Sequence, residues 1–170
     1  IFDSYAFRKG KGVHAGANRA QRWMRAIRQA HGPLFCLKAD ISKYFASIDH
    51  ARLKAILRRH IHCDRTLRLL DAIIDSSPGR PGVGIPLGNL TSQLFANLYL
   101  NELDRYAKHD LGIRYYIRYM DDFVVLHHDK AQLQAWRARI EQFLWSALRL
   151  ATNSKTQIFP VGPDNGRALD

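Results

Sequence analysis

Apolar residues recur along this chain with two different periods, and the switches between them mark out its elements. Residues 4–14 are basic and interrupted by glycine, which reads as a loop. Between Ala15 and Ala30, Trp23, Met24 and Ile27 form a helical stripe, while Arg19, Arg22, Arg25 and Arg28 fall mostly elsewhere. Gly32-Pro33 stops that helix, and residues 34–41 read as a largely buried strand. Leu53, Ile56, Leu57 and Ile61 have helical spacing, as do Leu67, Leu70, Ile73 and Ile74. Residues 76–88 are rich in Ser, Pro and Gly and predict a long loop. A strongly apolar helix follows with Leu90, Leu94, Phe95, Leu98 and Leu103. Residues 113–128 predict two strands joined at Met120-Asp121-Asp122. Leu133, Trp136, Ile140, Phe143 and Leu148 mark another amphipathic helix, and residues 157–159 a short last strand. The expected class is α+β, with helices packed on one face of an antiparallel sheet.

The length of 170 residues suits one domain or sub-domain, and a hydrophobic fraction of 46% excludes a disordered tail. No apolar run reaches the roughly 20 residues of a membrane span. The chain starts without Met and has no signal-peptide pattern, and both ends read as cut from something longer. Lys and Arg number 26 against 15 Asp and Glu, a net charge of +11. That excess favours polyanionic partners through counterion release, the competing reading being a merely soluble basic protein. Cys36 and Cys63 lack the spacing of a disulfide framework or zinc site and suit a reducing compartment.

Asp121-Asp122 is the unusual local feature, because adjacent carboxylates at a hairpin tip repel and forgo the usual Asn-Gly turn chemistry. A solvated turn is the competing reading. Asp40, near the end of a hydrophobic strand, shifts the balance, since an unpaired buried carboxylate would be costly. Placing that strand beside the hairpin would bring Asp40 to Asp121. Two such acids can hold a pair of Mg²⁺ ions about 3.5–4 Å apart for in-line displacement at phosphorus. Mg²⁺ prefers a few carboxylates supplemented by water and substrate phosphates.

These residues sit in motifs that resemble those of the reverse transcriptases. Tyr119-Met120-Asp121-Asp122 matches the family's Tyr-x-Asp-Asp. Residues 40–50, beginning Asp40-Ile41-Ser42-Lys43-Tyr44-Phe45, look like the motif carrying the first catalytic Asp. Residues 84–93, Gly-Ile-Pro-Leu-Gly-Asn-Leu-Thr-Ser-Gln, look like the loop and helix start beneath template and nucleotide. Residues 4–14 resemble the fingers segment of bacterial, group II intron-like enzymes. The resemblance implies a polymerase palm over 34–170 and part of the fingers over 1–33, with the thumb and remaining fingers absent. It implies cDNA synthesis from an RNA template by two Mg²⁺ ions, with Mn²⁺ as a substitute. The implied metal ligands are Asp40 and Asp121, with the Ile41 carbonyl assisting and Asp122 supporting.

Phe45 falls where these enzymes place an aromatic gate against the 2′-hydroxyl; ordinary core packing is the competing reading. Arg8 and Lys11 would reach triphosphate or template, or else form a solvated basic loop. Lys155 matches a lysine that protonates the leaving pyrophosphate. Leu87 and Gly88 would line the nucleotide site, and Pro86, Ser92, Gln93, Tyr119 and Met120 the template and primer. Implied partners are template RNA, primer, the RNA–DNA hybrid, deoxynucleoside triphosphates and an accessory protein, with no membrane, in the cytoplasm of a bacterium or encoded by a phage.

Leu87 and Gln93 depart from the Gln and Pro usual in group II intron and retroviral-type enzymes and look like those of diversity-generating retroelements. Those copy with frequent errors opposite adenine, and exchanging a hydrogen-bonding Gln for Leu gives a physical route to relaxed selection. Two other functions compete: an RNA-directed RNA polymerase, against which Phe45 speaks, and a catalytically degenerate palm that only binds nucleic acid. Elsewhere, His127-His128 reads as a polar strand end, and His60 and His62 as exposed or phosphate-facing. Trp136 and Trp145 read as core, and Asp71 and Asp75 as solvated helix charges.

Overall fold

The computed structural model describes residues 3–78 and 80–162; the ends of the expected fingers and palm ranges, 1–2 and 163–170, lie outside them. Among the described residues, six α-helices and four strands follow in the order α1 (Val13–His31), β1 (Phe35–Ala39), α2 (Tyr44–Ser47), α3 (His50–Arg58), α4 (Asp64–Asp75), α5 (Leu90–Arg105), β2 (Tyr116–Tyr119), β3 (Asp122–His127), α6 (Lys130–Leu148) and β4 (Gln157–Pro160). The strands form one antiparallel sheet in the order β2-β3-β1-β4. The α+β class and antiparallel sheet agree with the reading of the sequence. The short helix α2, and a π-helical turn at Tyr106–Asp110 that continues α5, carry no periodic signal and were not foreseen.

Strand alternation divides the core in two. Leu37, Ala39, Phe123 and Val125 face a main core built with Phe95, Tyr99 and Leu103 of α5 and Leu133, Ile140 and Leu144 of α6. Cys36, Leu126 and Phe159 face the other way, against Ile27, Trp23 and Met24 of α1. The palm helices α5 and α6 therefore share a face as expected, and α1 covers part of the opposite one. Burial pushes the Cys36 thiol up to about 12, so it behaves as an apolar residue. Tyr44 donates to the Ala96 carbonyl at 2.5 Å and Tyr99 to that of Leu148 at 2.7 Å, tying α2 and α6 to α5. Asp49 and Asp129 cap α3 and α6 by accepting from Arg52 N (2.9 Å) and Ala131 N (2.8 Å). Asp71 and Asp75 lie at the surface, where they pair with Arg58 and Lys54 and join α3 to α4. The reading of Trp145 as core changes: it is 60% exposed beside Arg149, because its helix position faces away from the sheet.

Among the buried residues is a full ion pair. Arg118 of β2 and Asp104 of α5 are 1% and 0% exposed. Arg118 donates from Nε to Asp104 Oδ1 (2.7 Å) and from Nη2 to Oδ2 (2.6 Å), and the Tyr116 hydroxyl donates to Oδ1 (2.7 Å). Its remaining Nη1 donates to the Met120 carbonyl at 2.9 Å. The main chain of Arg118 is also engaged: its N–H donates to Asp3 O and its carbonyl accepts from Tyr5 N, each at 3.0 Å. Asp3 in turn bridges Arg19 of α1 and Lys108 of the π-helical turn, both at 2.8 Å. Burial alone would lower the Arg118 pKa, but the Asp104 charge and hydrogen bonds override it and hold the guanidinium protonated. Removing one member leaves the other buried and uncompensated. Asp104→Ala is expected to cost about 3–5 kcal/mol in denaturant unfolding, and Asp104→Leu/Arg118→Met to recover most of that loss.

Candidate active site

Pairing of β1 with β3 in the register Ala39↔Phe123 sets Asp40 beside the tip of the β2–β3 hairpin. The last hairpin pair is Tyr119↔Asp122, so the turn consists of Met120 and Asp121, and Asp122 already belongs to β3. Met120 adopts φ 54°, left-handed for a residue with a side chain, and the Arg118 bond to its carbonyl holds it there. The two hairpin acids both feel the Asp40 charge. Asp121 is raised above the ordinary carboxylate value by burial and then by the Asp40 charge. Asp122 is raised by burial, then by Asp40 and Asp121, with Lys38 opposing. Among the described residues no three His, Cys, Asp or Glu side chains form a group able to hold a metal alone.

Asp40 is held from the segment after α6. Ser42 N donates to Ala151 O (2.9 Å), Ile41 bridges Thr152, and Asn153 N donates to Asp40 O (2.8 Å). The Asn153 amide nitrogen donates to Asp40 Oδ2, and Asn153 Oδ1 accepts from Lys155 N at 2.9 Å. Lys155 is thereby brought to the same end of the sheet, with its side chain exposed. The Ile41 side chain is buried.

Phe45 lies on α2, half-buried, with its ring edge-on to Tyr44. Its carbonyl accepts from Ile85 N (3.0 Å), and the Ile48 carbonyl accepts from Gly84 N (2.7 Å). His50 Nε2 lies 2.5 Å from the Gly84 carbonyl. Gly84 has φ 92°, and a Cβ there would lie 3.4 Å from the Ala46 carbonyl oxygen, so glycine lets the two motifs touch. Beyond it Pro86 is half-buried, Leu87 is 78% exposed, and Gly88, also exposed, precedes α5. Gln93 is half-buried on α5 and Tyr119 exposed at the hairpin.

Arg8 is exposed and donates to Ser4 O at 3.0 Å. Lys11 lies 4.8 Å over the Tyr5 ring, its pKa lowered by burial and then by Arg8. Two expected template–primer residues are not surface groups in this fold. Ser92 is fully buried on the inner face of α5, and the Met120 side chain packs into the main core, leaving its main chain at the turn.

Residues 1–163 match the family model described as reverse transcriptase (RNA-dependent DNA polymerase). The chain belongs to the reverse transcriptase family. It is similar to Protein YkfC of Escherichia coli, 28% identical over 91% of this chain and 51% of that protein. It also resembles an uncharacterised 91 kDa protein in the cob intron of Schizosaccharomyces pombe, 28% identical over 62% of this chain and 13% of that one. It thus spans about half of the first relative and a small part of the second. In fold it resembles apo telomerase from Candida tropicalis (TM-score 0.70, 12% identity, 98% of this chain and 37% of that one). Telomerase from Candida albicans with a fragment of telomeric RNA is similar too (0.69, 12%, 97% and 32%).

Within this reverse transcriptase fold, sequence reasoning missed Arg118, Asp104 and Asn153. Arg118 shares the alternation phase of the buried Tyr116, and Asp104 sits in an apolar helical stripe. Opposite charges at two core-facing positions were the signal available. Asn153 carried none, because only the fold brings it to Asp40. The raised carboxylates also fix a pH response. The native state binds protons at Asp121 and Asp122 more tightly than the unfolded chain does. Their penalty is absent below the ordinary value of 3.8, grows as pH rises through the raised native values, and is full above them. Metal-free Asp121→Asn is therefore expected to melt at or above the wild-type temperature at neutral pH, with the difference shrinking on acidification. A lower melting temperature at neutral pH would contradict this.

Proposed function

We propose that this chain is the nucleotidyl-transfer core of an RNA-directed DNA polymerase that makes cDNA on an RNA template. The observation that carries the reading is the meeting of Asp40 with Asp121 and Asp122 at one end of the sheet. Burial raises the two hairpin acids most, and a divalent cation would relieve the repulsion that adds to it. The donors, carboxylates with a neighbouring main-chain carbonyl at Ile41, are hard oxygens and fit Mg²⁺, or Mn²⁺ in its place. Asp40 and Asp121 would hold the metals, with Ile41 assisting and Asp122 supporting. Two bound ions would supply activation of the primer 3′-hydroxyl and stabilisation of the leaving pyrophosphate.

The protein's own groups do the rest. Phe45, fixed by the α2–Gly84 contact, sets an aromatic wall where a 2′-hydroxyl would clash and so selects deoxynucleotides. Arg8 and Lys11 neutralise the triphosphate, and Lys155 gives a proton to the departing pyrophosphate. Leu87 and Gly88 border the nucleotide, while Pro86, Gln93 and Tyr119, with the main chain of Met120, meet template and primer. Ser92 contributes by packing beneath them. The net charge of +11 suits an RNA–DNA hybrid. No helix among the described residues is long and apolar enough to cross a membrane. The likeness to a protein in an intron supports a retroelement enzyme. A cytoplasmic location and an accessory protein as partner complete the proposed setting. Leu87, solvent-facing and without hydrogen-bonding capacity, supports the diversity-generating subgroup and copying errors at template adenines.

Primer extension on an RNA template tests the reading. Asp40→Asn and Asp121→Asn are each expected to lower the rate by at least about 10²-fold, the scale of losing one charge-stabilising group. Phe45→Ala is expected to raise ribonucleotide incorporation. Wild-type rates in either Asp variant would leave a nucleic-acid-binding palm, and a wild-type preference for ribonucleotides would make the chain an RNA polymerase. On the same template, Leu87→Gln is expected to reduce misincorporation opposite adenine. An unchanged error spectrum would remove the subgroup assignment and leave the polymerase reading intact.

A further inference from the structure

Asp40 sits at a strand end, and a terminal carboxylate has a broad torsional preference of its own. Something else must decide which way its two oxygens point. In this fold Asn153 makes both contacts: its main-chain N–H donates to the Asp40 carbonyl at 2.8 Å, and its side-chain amide donates to Asp40 Oδ2. The amide oxygen is occupied as well, accepting from Lys155 N at 2.9 Å, and the Asn153 carbonyl accepts from Thr156 N at 3.2 Å. Asn153 is half-buried, and the Ile41–Thr152 bridge and the Ser42–Ala151 bond fix the segment that carries it. One residue therefore reads Asp40 through main chain and side chain and ties it to the segment bearing Lys155.

We infer that Asn153 is a positioning residue that holds Asp40 as a one-oxygen ligand and thereby favours small divalent cations over Ca²⁺. The inference rests on the proposed role of Asp40 as a metal ligand. With Oδ2 accepting the Asn153 N–H, a cation would meet that oxygen only in competition with a hydrogen bond that Oδ1 does not receive from Asn153. Mg²⁺ and Mn²⁺ are served by single carboxylate oxygens in octahedral sets, whereas Ca²⁺ takes bidentate carboxylates readily and at longer range. Occupying a lone pair of the second oxygen thus disfavours bidentate binding. The side-chain amide also supplies the kind of outer-shell hydrogen bond whose loss commonly weakens a metal site about 10–100-fold.

The test is Mn²⁺ binding to the purified protein, followed by electron paramagnetic resonance without nucleic acid, with Ca²⁺ as competitor. Asn153→Ala keeps the main-chain bond to Asp40 and so leaves the segment's attachment in place. It is expected to bind Mn²⁺ about 10-fold more weakly and to let Ca²⁺ compete better than in wild type. Asn153→Gln, which retains the amide on a longer arm, is expected to recover part of both properties. Wild-type Mn²⁺ affinity and Ca²⁺ competition in Asn153→Ala would overturn the inference. So would equal losses in the Ala and Gln variants accompanied by equal falls in melting temperature, because that pattern marks a structural role. Asp40→Asn is the separating control. If it binds Mn²⁺ as wild type does, the metal role of Asp40 fails; if it loses binding while Asn153→Ala does not, only the positioning role fails.

Discussion

A buried guanidinium decides where the hairpin turn sits. Arg118 spends two donors on Asp104 and a third on the carbonyl of Met120, so the position of the turn is referred to α5. Its main chain pairs with Asp3 and Tyr5, which extends the same constraint to the N-terminal segment and, through Asp3, to α1 and the π-helical turn. A hydrophobic pair could fill the space at similar or better stability. It could not donate to a turn carbonyl. The pair's contribution is therefore geometric: it fixes Met120 in a left-handed conformation and sets Asp121 at the strand end opposite Asp40.

That geometry works against stability at the tip. Asp121 and Asp122 are partly desolvated and lie near Asp40, which raises both above the ordinary carboxylate value. A fold selected only for stability would place Asn-Gly or one acid there. Repulsion among the acids is what a bound cation would relieve. The neighbouring segments are arranged to bear it. Gly84 lets the loop of residues 84–88 press against α2, and the extended segment 151–153 pairs with the end of β1. Phe45 is thereby tied to the loop at Ile85, and Asp40 to the segment carrying Lys155, by main-chain bonds.

The parts of this arrangement that were legible in the sequence are those with a period or a motif. Alternation in 113–128 revealed the hairpin, and the break in turn chemistry at Asp121-Asp122 pointed to function. The helical stripes of α1, α5 and α6 were visible for the same reason. The contacts that complete the site were not legible, since they are long-range and involve residues ordinary in type. Asn153 stands 113 positions from Asp40 in a polar stretch, and nothing local distinguishes it. Arg118 looked like one more cation in a basic chain, and only its strand phase marked it as buried. Ser92 and Met120 show the converse limit. Their motif positions suggested contact with nucleic acid, while helix phase and turn geometry turn both side chains inward.

In the proposed mechanism Asp40 and Asp121 together hold two divalent ions around a reacting nucleotide. Anomalous diffraction from crystals grown with Mn²⁺, an RNA–DNA primer–template and a deoxynucleoside triphosphate tests it directly. Two anomalous peaks about 3.5–4 Å apart, between the Asp40 and Asp121 carboxylates, are expected. Bound nucleotide with no peak at those acids, or with metal held elsewhere, would contradict it.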